Sequence, residues 1–188
     1  MCSSDLPLRV GINLSLRQFR QMNLVERITE ILKQTGMQPQ LLALELTENI
    51  LMEQVDKSDY TRHYIAALEK LDMMGVQVAI DHFGIGYSSL NNLRQFAIHT
   101  LKIDQSFVHD IKKNPAAAAI ISTVVSMGKN FGLQIIAQGV ETQEQLDMLG
   151  SLGCHQAQGL LLGEPMSAEL FAEFVQRKGT QCPPSLDS

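Results

Sequence analysis

Cysteine is scarce: Cys2, Cys154 and Cys182 are spread over 188 positions with no CxxC pair. An odd, widely spaced set excludes a disulfide framework and a zinc knuckle, and it points to a reducing, cytoplasmic compartment. Positive charge is also short, with Lys and Arg numbering 15 against 20 Asp and Glu for a net charge of -5. That balance gives no support to a generic nucleic-acid-binding surface and suits a locally anionic pocket better. Long hydrophobic runs are missing as well. The most apolar helical tract, Ala116 to Gly128, is too short to span a bilayer, and the first residues, MCSSD, lack a charged leader followed by an apolar core. A soluble chain is expected, with no transmembrane segment of its own, although a parent protein could be membrane-anchored. What is present is 45% hydrophobic, enough for one globular domain with a sizeable core. Its expected extent is 6–178, with 1–5 and 179–188 as flexible termini.

The most informative stretch is Val76 to Leu90, VQVAIDHFGIGYSSL. A β-branched run ends abruptly in Asp81 and His82, crosses a turn with Gly84 and Gly86, and re-enters helical sequence near Ser88 and Ser89. The same phrase recurs along the chain. LRVGINL ends near Asn13, LLALELTE carries Glu45 and Glu48, and HTLKID carries Lys102 and Asp104. LQIIAQGVE carries Gln138 and Glu141, and CHQAQGLL carries Gln158. Each apolar strand delivers polar groups at or just past its C-terminal end.

Between these strands the apolar spacing is helical, over roughly 19–33, 59–74, 88–95, 115–131, 142–150 and 167–176. Gly36, Gly75 and Gly132 serve as stops, Asn114-Pro115 as a start, and Thr142 with Gln145 as a capping box. Strand starts near 8, 41, 76, 99, 133 and 155 lie 22 to 35 residues apart, which fits about six βα units. A doubly wound sheet concentrates its ligand groups at one switch point, whereas here every strand end is decorated, which favours an α/β fold of the TIM-like barrel kind. A full barrel needs eight strands, so the barrel is expected to be incomplete. Gly84 and Gly86 read as turn glycines, because the rest of a dinucleotide fingerprint is missing. Met73, Met74, Met127 and Met148 read as core filler, and His63, His99, His109 and His155 as incidental.

With these residues assembled, the chain resembles the EAL domain family of bacterial cyclic di-GMP phosphodiesterases. The family's DDFGTGYSSL appears as DHFGIGYSSL, its NxSxxQF as Asn13 to Phe19, and its ELTE as Glu45 to Glu48. LKIDxSFV appears as Leu101 to Val108, EGVET as Gln138 to Thr142, and the QGY-type motif as Gln158 and Gly159. The resemblance implies a barrel whose mouth binds two divalent cations, Mg²⁺ or Mn²⁺, and hydrolyses cyclic di-GMP to pGpG. It makes Asn13, Glu45 and Asp81 metal ligands and has Lys102 hold the attacking water or phosphate. Glu48 would brace the loop after the third strand, Glu141 would support the site, and Gln158 would line it. Oxygen donors suit two hard cations that clamp an in-line displacement.

Three departures change the expectation. The name-giving glutamate of the Glu-x-Leu motif has no counterpart in the sequence, consistent with the family's first two strands being missing. His82 replaces the second aspartate of the metal-binding pair and brings no negative charge, suiting softer ions than Mg²⁺. Gln138 replaces the glutamate assigned as general base, and a carboxamide cannot take a proton from water near neutral pH. The expectation is a degenerate domain, catalytically inactive, acting as a weak cyclic di-GMP receptor or a protein-interaction module, with Mg²⁺ or Mn²⁺ only if a metal site survives. The alternative is a metal-dependent phosphodiesterase whose missing strands come from another segment or chain. Open sheet edges further predict a homodimer or a covering partner.

Overall fold

The computed structural model describes residues 8–52, 59–85, 96–154 and 156–179. The expected short helix over 88–95, Gly86, His155 and the terminal residues 1–5 and 180–188 lie outside them. Six strands among the described residues form one parallel sheet: β1 (Val10–Asn13), β2 (Leu42–Thr47), β3 (Gln77–Phe83), β4 (Thr100–Ile103), β5 (Gln134–Gln138) and β6 (Gln156–Gln158), in that spatial order. The helices are α1 (Leu16–Phe19), α2 (Leu24–Thr35), α3 (Glu48–Met52), α4 (Asp59–Met73), α5 (Gln105–Asp110), α6 (Pro115–Phe131), α7 (Gln143–Ser151) and α8 (Ala168–Gly179).

The sheet is curled. In a flat sheet β1 and β5 would stand four strand spacings, about 19 Å, apart. Yet Arg9, beside β1, donates to Gln134 Oε1 at the start of β5 at 3.3 Å. Sequential parallel order, helical crossovers and this curl make the fold an incomplete TIM-like (β/α) barrel.

Alternation along the strands builds its two faces. Leu42, Leu44, Leu46, Val78, Ile80, Leu101, Ile103 and Ile135 are buried beneath the helices and form most of the core. The intervening positions on the concave side hold small or polar residues: Ala43, Glu45, Ala79, Asp81, Thr100 and Lys102. One face therefore supplies cohesion and the other is free to carry chemistry.

Local signals set the helix ends. Asn114 caps α6 by accepting from the Ala116 N–H at 3.0 Å, with Pro115 at the first helical position. Ser15 and Thr142 both make reciprocal capping boxes, with Gln18 and Gln145. The Ser15 box explains why the helix expected over 19–33 is two helices, since α1 begins before Phe19 and a turn separates it from α2. α6 presses closely on β5: a Cβ on Gly128 would overlap the Ile135 side chain.

Two sequence readings are corrected. Met73 is 86% exposed, the last residue of its helix pointing away from the core. His99 is structural rather than incidental. Its Nδ1 accepts from the Val78 N–H at 3.1 Å and its Nε2 lies 2.9 Å from Asp72 Oδ1, tying β3 and α4 to the approach into β4.

Among the described residues both sheet edges are apolar, and no further strand pairs with β1 or β6. On β1 and just before it, Leu8, Val10 and Ile12 are 47%, 48% and 50% exposed, whereas Leu42 and Leu44 on adjacent β2 are buried. Beyond β6, Leu160, Leu161 and Leu162 are exposed too.

Candidate functional site

Lys102 anchors the mouth. It rises from the concave face of β4 and is only 4% exposed, so its charge needs a partner. Nζ donates to Glu45 Oε2 at 2.6 Å and stands 4.0 Å from Asp81 Oδ1. One buried ammonium thus faces carboxylates from β2 and β3. Room for Glu45 comes from β1, because a Cβ on Gly11 would overlap Glu45 Oε1. Asn13 ends β1 in register with Glu45, which places its Cα beside the same cluster.

A break in the β3–β4 register brings His82 to this mouth. Pairing shifts between Ile80 and Phe83, and His82 adopts the left-handed region with φ 56, where side chains other than glycine are uncommon. In a regular strand His82 would face away from Asp81. Here its Nε2 lies 3.5 Å from Asp81 Oδ2 and its Nδ1 2.7 Å from Asp104 Oδ2. The hydrogen bond to Asp104 is the main cause that raises the His82 pKa, helped by the charge of Asp81 against a smaller opposing effect of burial. Burial pushes Asp104 upward, but hydrogen bonds from Ser106 and His82 outweigh it and hold the carboxyl below its usual range. The Ser106 N–H reaches Asp104 Oδ1 at 2.8 Å, so the same carboxylate caps α5.

Glu48, at the start of α3, is buried and accepts from the Gly84 N–H at 3.0 Å. That contact holds the turn following His82. Gly84 has φ 101, and a Cβ there would stand 2.9 Å from the Phe107 ring, so the turn requires glycine.

Gln138 ends β5 opposite Gln158 of β6. Its Oε1 is buried and has no hydrogen-bond partner among the described residues. Glu141 is exposed, and its N–H donates to Gln145 Oε1 at 2.8 Å. A cavity of about 750 Å³ touches His82, Gln105, Gln138, Glu141 and Gln158. The mouth therefore has two sides: Glu45, Asp81, His82 and Lys102 around one cluster, and Gln138, Glu141 and Gln158 around an adjoining cavity that His82 also borders.

Sequence reasoning placed Asp104 at a strand end but gave it no role, and it passed over Gly11. The LKID string signals Asp104, but its partner depends on the left-handed turn at His82. Nothing in the sequence marks Gly11 as the space into which Glu45 leans.

Among the described residues no three His, Cys, Asp or Glu side chains already gather as a metal cluster. The donors present nonetheless suit one divalent ion. Asp81 and His82 offer an oxygen and a nitrogen at the mouth, and water or a phosphate can complete such a shell. Glu45 is engaged by Lys102, which disfavours a second ion.

The family model for the EAL domain matches residues 3–165. This chain belongs to the EAL domain family. It is 41% identical over 166 residues to the bifunctional diguanylate cyclase/cyclic di-GMP phosphodiesterase MucR of Pseudomonas aeruginosa, covering 88% of this chain and 23% of that protein. The solved structure of the PaMucR phosphodiesterase in complex with cyclic di-GMP superposes with a TM-score of 0.79 at 39% identity, over 87% of this chain and 64% of that one. The EAL domain of Mycobacterium smegmatis DcpA gives 0.82 at 36% identity, over 90% and 73%. Klebsiella pneumoniae BlrP1 with manganese and cyclic di-GMP gives 0.71 at 31%, over 81% and 38%. The chain thus spans less than a quarter of the length of curated relatives such as MucR. This chain is an EAL domain related to cyclic di-GMP phosphodiesterases. No described helix is long and apolar enough to cross a membrane.

Proposed function

We propose that this EAL domain is a cyclic di-GMP receptor that has lost hydrolysis. The observation that carries the reading is the buried, unpartnered Oε1 of Gln138 at the end of β5, a position for which the sequence resemblance implies a general-base glutamate in the family. A carboxamide there can still accept a hydrogen bond from water or ligand, but it cannot remove the proton that must leave an attacking water. Loss of a general base costs about 10²- to 10⁴-fold in rate. His82 in place of a carboxylate lowers the anionic charge further, so two tightly held hard cations are not expected.

In this reading Lys102 supplies positive charge for a phosphate of the ligand, while Glu45 holds the ammonium in place. Asp81 and His82, with Asn13 nearby, would hold a single divalent ion, which when bound would neutralise phosphate charge. Glu141 and Gln158 line the adjoining cavity, and Glu48 keeps the turn after His82 in position. The domain would serve a bacterial signalling pathway that reads this second messenger in the cytoplasm.

A second reading is favoured by the open edges. Leu8, Val10 and Ile12 on one side and Leu160 to Leu162 on the other expose apolar surface that a homodimer, a protein partner or additional strands would cover. Under that reading the mouth is completed by another segment or chain, and activity returns on assembly.

The test is calorimetric titration of cyclic di-GMP into the purified chain with and without Mg²⁺ or Mn²⁺, followed by chromatography for pGpG. Binding without pGpG supports the receptor. Production of pGpG by the chain alone overturns it, and absence of binding leaves the partner reading, which size-exclusion chromatography with light scattering then checks.

A further inference from the structure

Helix α8 lies almost bare. Every residue from 160 to 173 is exposed, Leu170 by 56% and Phe171 by 44%, and no described residue of α8 joins the core cluster. A helix of 12 residues is marginal in water unless an apolar face packs on something. Leu170, Phe171, Phe174 and Val175 make such a face, paired at four-residue spacing. The opposite edge of the sheet has a matching vacancy. All four residues of β1 are exposed, and between β1 and α2 lies an apolar groove of about 170 Å³, with Leu24, Ile28 and Leu32 buried in its wall and the half-exposed Ile12 and Ile31 at its rim. An apolar cavity of about 150 Å³ takes a benzene ring, so this groove has room for a phenyl or leucyl side chain.

Charge makes the two surfaces complementary. Residues 8–27 carry Arg9, Arg17, Arg20 and Arg27 against the single Glu26, whereas residues 160–176 carry Glu164, Glu169 and Glu173 and no basic residue. Among the described residues Arg27 is the one charged side chain lining the groove. Three glutamates beside the apolar face of α8 disfavour an anionic lipid surface as its cover and suit an arginine-rimmed groove. Groove and helix stand at opposite edges of one sheet, beside β1 and beyond β6, so in a two-fold pair each edge of one copy meets the other edge of the second. We propose that a second copy of this chain covers these edges: α8 and the Leu160–Leu162 segment of each copy lie over the β1–α2 groove of the other, with the glutamates facing the arginines. The proposal rests on reading the apolar edges as covered surfaces, and it names the occupant and the contacts that hold it.

Sedimentation velocity on the full chain over a range of concentrations should show a reversible monomer–dimer equilibrium that added salt weakens, because the Debye length falls to about 3 Å at 1 M. Two double variants then test the geometry. Arg17→Glu with Arg27→Glu makes both surfaces acidic, and Glu164→Lys with Glu173→Lys makes both basic. Each alone should dimerise at least tenfold more weakly than the parent, since like charges face one another, with circular dichroism unchanged. An equimolar mixture of the two should dimerise again, because every groove then meets a helix of opposite sign. Ile31→Ser, which alters only an exposed groove rim in the single copy, should also weaken association at least tenfold. A monomer at every concentration, an open-ended series of oligomers, or a mixture no more dimeric than its components would overturn the pairing. A dimer indifferent to both charge reversals would overturn it too, while leaving the edges covered in another way, so failure of this geometry is told apart from failure of the reading beneath it.

Discussion

Removing the Lys102 ammonium tests how the mouth is held together. Lys102→Met keeps the length and apolar stem of the side chain but leaves Glu45 and Asp81 facing one another without the cation between them. At an effective dielectric of about 20, a unit charge at 4 Å contributes about 4 kcal/mol, and Lys102 Nζ stands 2.6 Å from Glu45 and 4.0 Å from Asp81. Part of that attraction only offsets the cost of desolvating the ammonium. The net loss expected on breaking such a buried pair is about 3–5 kcal/mol. For a chain of this size each kilocalorie lowers Tm by about 2–4 °C, so the shift should be roughly 6–20 °C. Urea and thermal unfolding followed by circular dichroism measure it. Adding Glu45→Gln to Lys102→Met should recover much of the loss, because the uncompensated charge disappears. A divalent ion that takes the vacated place should stabilise the single variant by about 2.7 kcal/mol at a hundredfold excess over Kd. A loss below about 1 kcal/mol, the range of exposed ion pairs, would refute the account of a buried anchor, as would a double variant no more stable than the single one.

Glu48→Ala should cost about 1–3 kcal/mol by leaving the Gly84 N–H without its acceptor, and increased proteolysis after β3 should accompany the lowered urea midpoint. Gly128→Ala pushes a methyl group into the Ile135 side chain and should cost about 1–3 kcal/mol, whereas Ile135→Val in the same chain should relieve part of it. The Cys154 thiol, its pKa raised by burial against weaker hydrogen bonds to backbone carbonyls, should resist Ellman's reagent in the native chain at about pH 8.5, where a free thiol is half ionised. Because the folded pKa lies above the unfolded one, the contribution of Cys154 to stability is intact below the unfolded value and is lost as pH rises through the folded value. Loss of stability at alkaline pH should therefore be smaller in Cys154→Ala than in the parent, after subtracting the cavity cost measured at neutral pH.

The parts of this molecule legible in the sequence are those governed by local chemistry. Alternation in LLALELTE puts leucines under the helices and Glu45 on the concave face, and the same rule places Asp81 and Lys102 there. Asn114-Pro115 and the Thr142–Gln145 pair fix helix starts because their hydrogen bonds are made within a few residues. Partners that depend on tertiary placement were not legible. Period-two reasoning puts His82 on the opposite face from Asp81, and only the register shift and the left-handed turn reverse that. His99 looked idle because both its partners, the Val78 N–H and Asp72, arrive from a neighbouring strand and helix. Met73 satisfied helical spacing yet lies at the helix end, where the core no longer covers it.

On the proposed reading, the two departures from the family motifs, His82 and Gln138, act in the same physical direction. A phosphodiesterase mouth that gathers two cations must keep several carboxylates uncompensated until the ions arrive. In this chain Glu45 is neutralised by Lys102, Asp104 is engaged by His82 and the Ser106 N–H, and Glu48 holds the Gly84 N–H. Replacing a carboxylate by His82 removes one charge and links a second carboxylate to the imidazole, and replacing another by Gln138 puts a neutral amide at the end of β5. Most of the remaining negative charge is thus satisfied from within the protein. Such a mouth has little need of two divalent ions to be stable. It retains a lysine, an amide and one acid–imidazole pair, the groups that the proposed receptor would use to hold a phosphate-bearing ligand.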